Sequence, residues 1–147
     1  MNSQRSFQSI TSIVLGILFL AITSGCSNKP QRIAANGTVS FDNAKVESGQ
    51  IFFLPKDESL PQSNAKIVGG RYQIAELNGL FLGSYSVKVL GYEETGNVTD
   101  LGPLYDHRKQ KERRQFLPEK YNRRSELSVD IVEGETTYDF ELVSESE

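Results

Sequence analysis

Residues 84–90 read SYSVKVL, with Tyr85, Val87 and Val89 on one side of an extended chain and Ser84, Ser86 and Lys88 on the other. Successive side chains of a strand point to opposite faces, so this alternation predicts a strand with one face on a core and one in water. The same period returns at Leu127, Val129 and Ile131, which alternate with Ser128 and Asp130. It returns again at Tyr138, Phe140 and Leu142, which alternate with Asp139 and Glu141. Gln50–Leu54 (QIFFL) is apolar, β-branched and aromatic, and Pro55 stops it. Thr38–Phe41 (TVSF) runs into the turn pair Asp42-Asn43. Gly69-Gly70, between Ala65–Val68 and Arg71–Ala75, is a two-residue hairpin signal. Glu133-Gly134-Glu135-Thr136 suits a short hairpin loop joining the last two strands.

No segment after Cys26 sustains an apolar period of 3.6. About seven short strands separated by turn residues describe an all-β fold, a single Greek-key-like β-sandwich. One region departs from the pattern. Tyr92–Gln115 has no alternation and many charges, and is expected to be irregular. It holds the basic residues Arg108, Lys109, Lys111, Arg113 and Arg114, which form the candidate site for contact with phosphate head groups or acidic glycans. The competing reading is a solvated, mobile loop. Tyr92, Tyr105 and Tyr121 flank the cluster, which suits aromatic-plus-cation recognition of a polymer if they converge.

The first 25 residues carry one charge, Arg5, ahead of the apolar run Ile10–Ile22. That run is shorter than the roughly 20 apolar residues of a spanning helix. A positive start, a short apolar centre and small residues before a cut site are the marks of an export signal. An uncleaved anchor helix is the other reading. Residues 26–36 then form a polar tether, and 37–147 the sandwich domain. Cys26 is the only cysteine. A buried core thiol and intermolecular pairing are two uses for a lone exported cysteine.

Composition excludes several classes. The net charge of −3 across 147 residues argues against a general nucleic-acid binder. A Ser–His–acid nucleophile needs a histidine, and the only one, His107, lies in the basic segment, where it reads as an exposed loop residue. No set of ligands has metal-site spacing, so neither a metal nor a cofactor is expected, with calcium on scattered carboxylates as the alternative left open. Glu93, Glu94, Asp100 and Asp106 are the acids a carboxylate-based glycan hydrolase would draw on, and this is the competing enzymatic reading.

Three stretches resemble known families. Thr23-Ser24-Gly25-Cys26 resembles the lipobox of bacterial lipoproteins, with Thr23 where an aliphatic residue is usual. That resemblance implies a diacylglyceryl group on the Cys26 thiol and cleavage between Gly25 and Cys26. "GTVSFDNAKVESGQIFFLP" (Gly37–Pro55) and "GLFLGSYSVKV" (Gly79–Val89) resemble the carboxypeptidase regulatory-like domain, a transthyretin-like sandwich. In the second stretch Phe81 and Leu82 replace the usual prolines, while Gly83, Tyr85, Val87 and Val89 keep the pattern. Gln115–Val143 is similar to the ends of small lipoproteins of planctomycete-type bacteria, through Pro118, Lys120, Tyr121, Leu127, Val129, Ile131, Gly134, Phe140 and Leu142. Together these imply a non-catalytic envelope lipoprotein, facing periplasm or exterior and held to a membrane through Cys26. Its partners would be envelope proteins or anionic glycans, or an enzyme or transporter that it serves as an accessory subunit.

Overall fold

The computed structural model describes residues 31–144, so the signal-like segment and Cys26 lie outside the described residues. The alternating stretches form strands: β1 (Ala35–Phe41), β2 (Ala44–Lys45), β3 (Ser48–Pro55), β4 (Ser63–Val68), β5 (Arg71–Ile74), β6 (Gly83–Asp100), β7 (Lys109–Gln115), β8 (Ser128–Ile131) and β9 (Phe140–Leu142). Among the described residues only short 3₁₀ turns accompany them, at Glu76–Asn78, Pro103–Tyr105 and Glu119–Tyr121. The fold is all-β. The two strands beyond the expected seven, β2 and β7, are the short AK and the polar KQKERRQ.

The strands fall into two groups. β3 lies between β4 and the first part of β6, with Ile51 opposite Ala65 on one side and Val89 on the other. β8 covers the free edge of β6 from Gly83↔Ile131 to Ser86↔Ser128. In the second group β1 pairs with β5 along Ala35–Thr38, and with β2 and β9 further on. The chain crosses between groups at Gly69-Gly70, whose φ values of +58° and +75° suit a tight hairpin turn. β4 and β5 share only Val68↔Arg71, so the two groups diverge at once.

What they enclose is apolar. Tyr85, Val87 and Val89 are all inaccessible to solvent, as their alternation predicts. The Phe53 ring lies 5.8 Å from Tyr72 and 6.2 Å from Phe140, joining the first group to the second in a sandwich-like arrangement. Tilted and edge-on rings at these distances add about 0.5–1.5 kcal/mol per pair beyond area burial.

Three expectations are corrected. Tyr92–Gln115 is no irregular loop: β6 continues to Asp100 and β7 returns antiparallel to it, with a register shift between Glu94 and Val98. Both faces of this arm meet water, so it has no core-facing side and leaves no alternation to read. Nor do the last two strands form a hairpin. β8 joins β6, while β9 runs parallel to β1, with Val39 opposite Phe140. Finally, β1 opens at Ala35, inside the stretch expected to be tether. Ile33 exchanges main-chain hydrogen bonds with Leu80 at 2.7 and 2.8 Å. Arg32 donates from Nη1 to the Gly79 carbonyl at 3.2 Å, and its guanidinium lies 4.9 Å from the centre of the Phe81 ring.

These contacts give the domain a direction. Ile33 is paired with Leu80, three residues ahead of β6, so the chain enters the fold where β6 begins. β6 runs through the sandwich to Gly91, which faces Gly49, and then leaves it. Its 18 residues trace a path of roughly 60 Å at the usual strand rise, and the arm tip lies at the far end.

Candidate functional site

The arm holds every basic residue of the candidate cluster. In its ladder Tyr92 faces Gln115, Glu93 faces Arg114 and Glu94 faces Arg113. Beyond the register shift, Val98 faces Lys111 and Asp100 faces Lys109. Directly opposed residues share a face. Lys109, Lys111 and Arg113 therefore lie on one side with Tyr92 and Glu94, and Glu112 and Arg114 on the other with Glu93.

Side-chain contacts divide the cations. Arg114 donates from Nε to the Glu93 carboxylate at 3.0 Å, and Nη2 reaches the same oxygen. The Lys111 ammonium reaches diagonally to Glu94 at 2.8 Å rather than leaving that acid to the directly opposed Arg113. Among the described residues Arg108, Lys109 and Arg113 make no ion pair. Pairs as exposed as these are worth under about 1 kcal/mol each, so they set register more than they stabilise the fold. A cation-rich outer strand also resists edge-to-edge pairing with other chains.

Glu112 accepts hydrogen bonds from Asn97 Nδ2 at 2.7 Å and Thr95 Oγ1 at 2.8 Å. The Asn97 bond, then that from Thr95, holds its carboxyl below the usual carboxylate range. The tip is a bonded turn. Asp100 accepts from the Gly102 amide at 2.8 Å and lies 3.2 Å from His107 Nδ1, while the Leu101 amide donates to the Arg108 carbonyl. His107 is exposed, as its sequence setting suggested. Leu104, 93% exposed, and Tyr105, 59% exposed, stand outermost.

The three tyrosines do not converge. Tyr92 is at the foot of the arm, Tyr105 at its tip, and Tyr121 is buried beside β9. The Tyr121 hydroxyl donates to the Val143 carbonyl at 2.8 Å and accepts from the Val143 amide at 3.0 Å, packing at the sandwich edge. Tyr92 borders a shallow groove of about 290 Å³ with Gln50, Lys66 and Arg113. Lys66 belongs to the site only through the pairing of β3 with β4, which local sequence does not show.

The acids of the hydrolase reading divide between the foot of the arm, with Glu93 and Glu94, and its tip, with Asp100 and Asp106. Glu93 and Glu94 lie on opposite faces, each held by a cation, and Asp100 is used in the tip turn. No group of three or more His, Cys, Asp and Glu side chains comes together among the described residues. Asn122 is a structural residue that sequence reading missed. It is buried, its amide donates to the Leu117 and Pro118 carbonyls, and its Oδ1 accepts from the Arg123 amide. No family model, curated protein or solved structure matches the chain.

Proposed function

We propose that this protein is a lipid-anchored, non-catalytic binding module of a bacterial envelope, held through Cys26 and presenting the β6–β7 arm outward. The observation that carries the reading is the direction of the fold: the chain enters beside the start of β6, and the arm tip lies at the other end. Five residue steps separate Cys26 from Gln31, a reach of at most about 18 Å. An anchor there keeps the Arg32–Phe81 end of the domain near the membrane and leaves the arm clear of it. The signal-like segment, the lipobox resemblance and the carboxypeptidase regulatory-like pattern support the same reading.

A second reading, an accessory subunit, draws on the exposed Leu104 and Tyr105, which suit docking into a partner protein. Intact-mass spectrometry of the membrane fraction, beside a Cys26→Ser control, tests the anchor. The expected product begins at Cys26 and carries acyl mass. A soluble or uncut product would overturn the proposal.

A further inference from the structure

Three shallow depressions on the described surface share residues. The first, about 980 Å³, runs along the open edge of β7 beside Arg108 and takes side chains from both faces of the arm, Lys109, Lys111 and Arg113 from one and Thr99, Gln110 and Glu112 from the other. Arg113 also borders the 290 Å³ groove with Tyr92, Gln50 and Lys66. Lys66 and Val68 border the third, about 760 Å³, which continues to Arg71, Gln73 and Thr38. Arg113 links the first to the second, and Lys66 and Val68 link the second to the third, so the three adjoin in one track along the β7 edge and then across β6, β3 and β4 to β5 and β1.

Its charge is one-sided. Six cations line it, and of these only Lys111 has an ion pair among the described residues. The lining acids are Glu112 and Asp139. Both already accept hydrogen bonds from neighbours, Glu112 from Asn97 and Thr95, and Asp139 from the Thr38 amide at 2.6 Å and its hydroxyl at 2.8 Å. The protein is acidic overall, yet this path collects unpaired positive charge.

We infer that this track is a binding site for an extended anionic glycan. The inference rests on the binding-module reading and names its ligand class. Charge complementarity requires an anion, and a path of this length requires a chain. The Gln50 and Gln73 amides and the half-buried Tyr92 ring suit a hydroxyl-rich polymer that offers hydrogen bonds and a flat face. A protein partner would need a cluster of large aromatic or aliphatic anchors at the centre; there the apolar surface is Val68 and the half-buried Tyr92, set among Ser48, Gln50, Lys66 and Arg113. A bilayer surface is flat, whereas the track follows a twisted sheet and then turns along the arm.

The test uses the full chain in detergent, with heparin and polygalacturonate as anionic probes and dextran as the neutral one, read by calorimetry. Both anionic polymers are expected to bind, with affinity falling as salt rises, while dextran does not. Lys66→Ser combined with Arg71→Ser, both outside the arm, should weaken binding about tenfold. Arg113→Ser should weaken it too, and Lys56→Ser, off the track, should leave it unchanged. Thermal melts confirm that each variant is folded. Equal binding of dextran, no binding of either anionic polymer, or tighter binding to phosphatidylglycerol vesicles would overturn the inference. So would full affinity in the Lys66/Arg71 variant, which would confine binding to the arm. Because the assay does not depend on acylation, failure of the anchor in the mass measurement stays separate from failure of the track.

Discussion

The Tyr72 hydroxyl donates to the main-chain carbonyl of Tyr138 across 2.7 Å within the core, tying β5 to the residues leading into β9. Gly37 makes room for this contact. A Cβ at residue 37 would stand 1.9 Å from the same Tyr138 oxygen and 3.0 Å from the Tyr72 ring. Since the obstacle is main chain rather than a flexible side chain, Gly37→Ala should destabilise by about 3 kcal/mol or more. Tyr72→Phe leaves a buried acceptor without its donor and should cost about 1–3 kcal/mol. Urea midpoints of the two variants check both values.

The same tyrosine sets an alkaline limit. Burial, reinforced by the nearby Asp139 and by Tyr138, pushes the Tyr72 phenol well above its ordinary value, and burial also raises Tyr85. A phenol that keeps its proton in the folded state and releases it when unfolded favours unfolding as pH rises. Stability from this source is intact below about pH 10, the unfolded phenol value, and is lost above it. Chemical denaturation between pH 8 and 11.5 should show the decline, with a shallower slope in Tyr72→Phe.

The arm is expected to open independently of the sandwich. A two-stranded ribbon with water on both faces is marginal by itself. Amides of residues 94–112 should exchange with deuterium well ahead of Val87 and Val89, which are fully buried. Glu94→Gln removes the partner of Lys111 and should cost under about 1 kcal/mol. Exchange should quicken in the arm while the global unfolding midpoint stays where it was.

Tyr121 fastens the end of the chain. Its hydroxyl serves both the carbonyl and the amide of Val143, immediately after β9. Tyr121→Phe keeps the ring and loses both bonds, with an expected cost of about 1–2 kcal/mol. Hydrogen exchange at Val143 should accelerate more than at Val39, which β1 buries in the core.

Which segments become core strands is legible in the order of apolar and polar residues along the chain. Alternation at Tyr85, Val87 and Val89, and at Phe140 and Leu142, is a record of burial, whereas β3, apolar on both faces at Ile51, Phe52, Phe53 and Leu54, reads as an unbroken apolar run. β7 left none, because KQKERRQ is wet on both faces and its pairing depends on β6 opposite it. Period two also carries no information about partners. That is why β8 and β9 read as neighbours, while the finished sheets gave each a different free edge, on β6 and on β1. The cations followed the same division. Sequence grouped Arg108, Lys109, Lys111, Arg113 and Arg114 by proximity along the chain. Only tertiary structure diverted Arg114 and Lys111 into ion pairs and brought Lys66 into line with Arg113, because side-chain neighbours across a sheet are decided by strand order and register.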